Sequence, residues 1–462
     1  MRKLLAALCA IAAALATPGR RLAAQASVVR YQTFTLPNGL RVIYSENHTT
    51  PVVAVDVWYD VGSRNERPGR SGFAHLFEHM MFEGSAHAPK GMHSHLIQSA
   101  GGQDNASTAE DRTNFYATIP SNYLNLVLWL EADRMRSLAI TDATFHNQRE
   151  TVKEERRLRV DNQPYGTVFA EGLAWPYDTA SCFPYAHSVI GSMADLDAAT
   201  VQDVSAFHEQ YYAPNRATLV VTGDVSPSAL RQLVNQDFAA IPRRPDPPPV
   251  TCRYQLSPGI VRRTVQDAHA NLPAVVRMYR IPPHEDRDTP PLGILNVILG
   301  EGESSRLNVA IVRREQAALG VQVGMNPYDS RRGPGVFLVL GIVNQGVDPE
   351  RLDTLIAAQI DTIRTINVTP AELEKAKNIY RAGVVHARET ALGLAEELQH
   401  YEMFHDTLSE INSDLSRYLA VTADDVRRVA SKYLDPRNAV DVIIRTGPGG
   451  GSSQQSGSGD KP

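Results

Sequence analysis

His75, Glu78 and His79 lie in the run His75-Leu76-Phe77-Glu78-His79, and their types and spacing suit a metal ion with a base beside it. On a helix, residues four apart leave the same face. Both imidazoles can then reach one Zn²⁺ at about 2.0–2.1 Å. Glu78 precedes His79 and stays off the metal, where it can take a proton from a water at that ion. The order is the reverse of H-E-x-x-H. The bland reading is a surface helix that happens to carry two histidines.

Two histidines leave such a zinc one protein ligand short. The acid-rich stretch 144–160 offers Glu150, Glu154 and Glu155. At about 100° per residue, Phe145, Gln148, Val152, Glu155 and Arg159 share one stripe. Glu150 and Glu154 fall away from Val152, so Glu155 is the acid nearest the apolar face. An ordinary solvated charge run is the competing reading.

These residues need elements to hold them. The β-branched and aromatic run 51–61 predicts a strand. The stretch 62–71 is rich in turn residues. A helix is expected over 72–82, with Phe73, Leu76, Phe77, Met80 and Met81 embedding the histidines in an apolar interior. Imidazoles facing such an interior need a partner for their nitrogens, and a metal supplies one. A hairpin is expected around Asn38-Gly39, with helices over 123–138 and 144–160 and a strand over 217–223. The later chain predicts strands at 274–281, 336–343 and 439–444, and helices starting at 292 and spanning 370–397 and 423–433. Strand, polar loop and apolar helix recur at 51–84 and 273–302. Setting Gly72 on Gly293 puts Asn296 and Gly300 where His75 and His79 stand. This echo suggests a duplicated fold with metal chemistry in the first copy only, although shared α+β layering alone could produce it.

The chain has 462 residues and a formal net charge of −5, which gives no footing for nucleic acid or an anionic membrane surface. Residues 1–26 read as a signal peptide: a basic start, a short apolar core, and Ala24-Gln25-Ala26 as a cleavage site before Ser27. An uncleaved anchor is the alternative, and a secreted or periplasmic location is expected. No later stretch is apolar and long enough to span a membrane. The proline-dense stretch 241–249 reads as a linker between 27–240 and 250–446. The Gly/Ser/Gln-rich tail 447–462 reads as disordered. Cys182 and Cys252 could pair or remain two thiols.

Further motifs extend the pattern: Leu36-Pro-Asn-Gly-Leu-Arg-Val42, Val61-Gly-Ser63, Gly72-Phe-Ala-His-Leu-Phe-Glu-His79 with Phe82-Glu-Gly-Ser85, Gly101-Gly-Gln-Asp-Asn-Ala106, Glu150-Thr-Val-Lys-Glu-Glu-Arg156, Tyr211-Tyr-Ala-Pro-Asn-Arg-Ala217, Gly223-Asp-Val225 and Ser304-Ser-Arg-Leu307. Together they resemble the pitrilysin or insulinase zinc metallopeptidases, in the short-chain branch that includes mitochondrial processing peptidase and its bacterial relatives. The resemblance implies an α+β fold of two homologous halves, each a mostly antiparallel sheet packed with helices, joined by the Pro-rich linker. It implies His75, His79 and Glu155 as zinc ligands and Glu78 as general base. Asn105 and Ala106 match the segment that contacts the substrate backbone. The nearby run 113–119 reads as a strand whose edge an extended peptide could join.

Two positions depart from the family pattern. Gln148 stands where a second acid usually supports the zinc site. Arg314 matches the arginine of an Arg–Tyr pair that grips substrate, but Val321 takes the tyrosine position and cannot donate to an oxyanion. The resemblance therefore implies a zinc-dependent endopeptidase acting on peptides or unfolded segments, paired with a homologous chain that brings the Arg–Tyr pair. A homodimer ranks second. The rival is a non-catalytic assembly or scaffold subunit, which loss of the metal ligands would favour. His87, His93 and His95 read as solvated loop residues, and His187 and His208 as fold-determining ones.

Overall fold

The computed structural model describes residues 28–255, 259–326 and 332–447. The segment read as a signal peptide and residues 448–462 of the tail lie outside them. The first half builds a six-stranded sheet in the order β1-β2-β6-β3-β5-β4, from β1 (Gln32–Thr35), β2 (Arg41–Glu46), β3 (Val52–Tyr59), β4 (Gln103–Thr108), β5 (Thr113–Pro120) and β6 (Ala217–Gly223). The second half builds a five-stranded sheet in the order β7-β11-β8-β10-β9, from β7 (Val261–Asp267), β8 (Ala274–Ile281), β9 (Ala318–Met325), β10 (Gly335–Val343) and β11 (Ala439–Thr446). In each sheet one pair is parallel, β2 with β6 and β7 with β11. The remaining pairs are antiparallel. From β2 to β4 the first order repeats in the second, so the faint sequence echo is a true structural repeat.

Each sheet is covered on one face by its own helices. In the first half these include α1 (Phe73–Met80), α2 (Leu124–Ser137), α3 (Asp142–Arg156) and α4 (Val201–Tyr211). In the second they include α5 (Thr289–Gly300), α6 (Pro349–Thr365) and α7 (Pro370–Ala387). The other faces are covered by exchange. Helix α8 (Ala391–Phe404) belongs to the second half, yet Ala395, Leu398 and Tyr401 pack on Ile43, Ala54 and Val220 of the first sheet. Conversely Val168, Leu173, Tyr177 and Tyr185 of the first half pack on Val276, Met278 and Val442 of the second sheet. The helix expected over 370–397 is therefore two. It breaks where the chain leaves one sheet for the other, and Thr390 caps the new helix through the Gly393 N–H at 3.0 Å. A last helix, α9 (Ala423–Tyr433), buries Val426 and Val429 in the second core.

Polar groups fix this exchange. Gln399 on α8 donates to the carbonyls of Asp56 at 2.9 Å and Thr218 at 2.8 Å. Buried Asp111 accepts from Arg64 at 3.1 Å, the Tyr185 hydroxyl at 2.8 Å and the Arg332 backbone N–H at 2.7 Å, which ties both halves to one carboxylate. Cys182 and Cys252, left open by the sequence, are joined in a disulfide. It ties the exchanged segment of the first half to the stretch after the prolines. No described helix is long and apolar enough to cross a membrane.

Candidate active site

Helix α1 begins at Gly72, whose φ of +86° is a left-handed geometry that glycine adopts without strain. A Cβ there would stand 2.8 Å from the Ile190 carbonyl, so the glycine also permits close backbone approach. Gly72 has no side chain to cap the helix. The carboxylate of Glu66, buried in the preceding turn, does it instead by accepting from the N–H groups of Gly72 and Ala74, each at 2.8 Å. His187 holds that carboxylate from behind at 3.0 Å. Burial raises the Glu66 pKa, partly offset by these hydrogen bonds. The inner face of α1 is fixed by Phe77, stacked on His208 at 5.2 Å and packed on Tyr212 at 4.2 Å. His187 and His208 thus position the helix.

The outer face presents the motif. His75 and His79 sit with ring centroids 4.8 Å apart. Glu155 reaches them from α3, with Oε2 3.1 Å from His79 Nε2 and 3.8 Å from His75 Nε2. The expected stripe holds: Phe145, Gln148 and Val152 are buried, Glu155 is half-buried, and Glu150 and Glu154 are exposed. One ligand atom from each of His75, His79 and Glu155 lies within 4.8 Å of the others. Tetrahedral ligands at about 2.0–2.1 Å from zinc stand about 3.3 Å apart, so the donor set fits that ion. Burial lowers His75 to about 4, so its ring is neutral and its lone pair is free for a metal. The hydrogen bond with His79 holds Glu155 below the usual carboxylate range. Buried His75 Nδ1 has no hydrogen-bond partner among the described residues.

Glu78 leaves the helix beside this cluster and accepts from the Thr108 hydroxyl at 2.5 Å. Burial raises its pKa, the shift that brings a carboxylate toward service as a base near neutrality. A cavity of about 450 Å³ opens in front, lined by His75, Thr108, Glu155, Arg159 and His187 among others.

The structure corrects the readings of 113–119, His93 and His95, and places Gln148, Arg314 and Val321. The run 113–119 is β5, an interior strand, and not the sheet edge. The edge is β4, which carries Asn105 and Ala106 opposite Tyr116 and Phe115. The Gln148 amide donates to Glu83 at 2.5 Å, so its contact is with that carboxylate. Arg314 ends a π-helical turn over Asn308–Arg314, is exposed, and does not line the cavity. Val321 faces the second core beside Val323 and Met325. His93 and His95 lie on a helix over Met92–Ser99, and His93 is buried near Glu131 rather than solvated. Glu66 was missed, because a helix cap seven residues before its helix has no local signature.

Two family models match this chain: one described as Insulinase (Peptidase family M16) over residues 41–172, and one described as Peptidase M16 inactive domain over 198–380. A zinc protease PqqE of Helicobacter pylori is 30% identical over 93% of this chain and 96% of its own length. A probable mitochondrial-processing peptidase subunit beta of Arabidopsis thaliana is 23% identical over 87% of this chain and 75% of that protein. The crystal structure of a protease from Helicobacter pylori superposes with a TM-score of 0.84 at 29% identity, covering 90% of this chain and 100% of that one. With its repeated halves and this cluster at the start of the first, the chain is a protease of the insulinase family, peptidase family M16.

Proposed function

We propose that this protease is a zinc-dependent endopeptidase that cleaves peptides or unfolded segments, with zinc held by His75, His79 and Glu155. The observation that carries the reading is the convergence of these three donors from α1 and α3, with half-buried Glu78 beside them. When bound, the ion would polarise the scissile carbonyl and acidify a water. Glu78 accepts the water proton and passes it to the leaving amine. Thr108, which lines the cavity, fixes the Glu78 carboxylate by donating its hydroxyl to it. An extended peptide adds to the open edge of β4 along Asn105 and Ala106, which gives backbone affinity with little side-chain preference. Metal analysis of the purified chain should give zinc that a chelator removes, and Glu78→Gln should keep the metal while hydrolysis falls by about 10²–10⁴. Undiminished cleavage by Glu78→Gln would overturn the mechanism.

The active unit in this reading is a pair of homologous chains. Arg314 does not line the cavity, and Val321 is packed in a core. A partner chain would bring its own Arg and Tyr to the zinc face, with a homodimer as the second choice. Strong rescue of peptide hydrolysis by a zinc-less homologous chain supports this, and full activity of the isolated chain refutes it. Export after cleavage at Ala26 completes the proposal. The Cys182–Cys252 disulfide suits an oxidising compartment. N-terminal sequencing of the mature protein should then begin at Ser27, and an intact Met1 would refute it.

A further inference from the structure

A second group of metal-type donors lies away from this site. His284 follows β8, while His400 and His405 lie at and just beyond the end of α8. Their Nε2 or Nδ1 atoms fall within 4.8 Å of one another. His284 Nε2 and His405 Nε2 face each other at 3.2 Å. That is close to the roughly 3.3 Å between two nitrogens on one tetrahedral zinc. The ring centroid of His400 is 5.0 Å from that of His284 and 5.5 Å from that of His405.

The tautomer suits a ligand. His405 Nδ1 lies 3.1 Å from Glu410 Oε2. Donation of the Nδ1 proton to that carboxylate leaves Nε2 with its lone pair toward His284, the carboxylate–histidine arrangement that accompanies metal-bound imidazoles. The His400 ring is only partly exposed. The charge of nearby Arg417 is met by Asp414 at 2.9 Å and Glu410 at 3.7 Å. A cavity of about 240 Å³ lined by His284, His405 and Glu410 gives a route in and room for a fourth, non-protein ligand.

The geometry points to a second metal site, in which His284, His400 and His405 bind one divalent transition cation of the zinc type. It would fasten α8, which covers the first sheet, to the chain leaving β8 of the second. The site is a clasp between the halves and takes no part in peptide hydrolysis. It stands independently of the zinc assignment at His75, His79 and Glu155.

The test uses the full chain, stripped of metal and titrated with Zn²⁺ and Co²⁺. Wild type should take up two equivalents of Zn²⁺. His75→Ala/His79→Ala should still take up one, and with Co²⁺ should show the visible band of a four-coordinate nitrogen site. Zn²⁺ should raise the Tm of this double variant. Adding His284→Gln or His405→Gln should abolish both uptake and Tm shift, with circular dichroism reporting the fold. One equivalent in wild type together with none in His75→Ala/His79→Ala would overturn the site and leave the His284–His405 contact an ordinary hydrogen bond. Undiminished Co²⁺ binding after His284→Gln and His405→Gln would overturn it too. If His75→Ala/His79→Ala does not fold, comparison of wild type with His284→Gln decides: loss of one equivalent supports the site, and an unchanged stoichiometry overturns it. Failure of the peptidase zinc would appear separately, as wild type with one equivalent that only His284→Gln removes.

Discussion

Helices α1 and α5 occupy equivalent places in the two halves, each following the second strand of its repeat, and they differ where chemistry would sit. With Gly72 set on Gly293, His75 and His79 of α1 correspond to Asn296 and Gly300 of α5. At Gly300 a Cβ would stand 2.4 Å from the Cβ of Val323, so α5 and strand β9 close on each other with no room for a side chain. In the first half the same gap, between α1 and β4, holds Glu78 against Thr108 and opens on the cavity. The repeat thus supplies one crevice twice. The second half fills it with the Val323 side chain, and the first keeps it open and lines it with donors. Both helices are also set by a buried acid. Glu66 caps α1, and Asp288 at the start of α5 accepts from Arg428 at 2.7 Å, Lys432 at 2.9 Å and Tyr433 at 2.7 Å.

The largest effect should come from rewriting the first helix as the second. His75→Asn/His79→Gly should abolish bound zinc at this site and take peptide hydrolysis to background. The Tm should move little when compared with metal-free wild type, since both histidines lie on the outer face. Collapse of the fold would show that the open crevice depends on its donors. Next in size, Glu66→Ala leaves two N–H groups and His187 Nε2 unpaired in the interior, and should destabilise by on the order of 3 kcal/mol. Urea unfolding measures this, and a loss below half that value would mean Gly72 alone sets the helix start.

Asp288 gives a pH-dependent counterpart. Burial alone would raise its pKa, but Lys432, Tyr433 and Arg428 overcome that and hold it at about 2, against 3.8 ordinarily. A depressed carboxylate stabilises above its unfolded pKa and loses that stability as pH falls through the folded value. Wild type should therefore exceed Asp288→Asn by about 2 kcal/mol at pH 6. The gap should close between pH 4 and 2, and a constant gap over that range would sink the assignment. Smallest is Gly300→Ala. Overpacking against Val323 costs about 1–3 kcal/mol, offset by about 1 kcal/mol of helix propensity. A net loss of about 1 kcal/mol by chemical unfolding is expected, and a gain would show that β9 yields freely.

The parts of this molecule that were legible in sequence are those whose information is local. The β-branched runs gave β3, β6 and β8, and the stripe Phe145-Gln148-Val152 singled out Glu155 because burial follows the helical period. Strand β4 escaped because Gln103-Asp-Asn-Ala-Ser-Thr108 has no apolar alternation, and its identity as the edge rests on pairing with β5. The single helix expected over 370–397 failed because an apolar face does not say which sheet it will cover. Nothing local joins His284 to His400 and His405, since over a hundred residues separate them. The pairing of Cys182 with Cys252 rests on the same non-local packing.

The exchange of covering segments also bears on how the chain is made. The first sheet is complete in sequence at Gly223, but the helix that shields its outer face ends at Phe404, a further 404 − 223 = 181 residues on. At about 5–20 residues per second of synthesis, Ile43, Ala54 and Val220 wait roughly 10–35 s before Leu398 and Tyr401 arrive. During that interval the apolar side of the first sheet lacks the helix that covers it. Wherever the chain folds, its first half is thus not a domain that is finished before the second half is present.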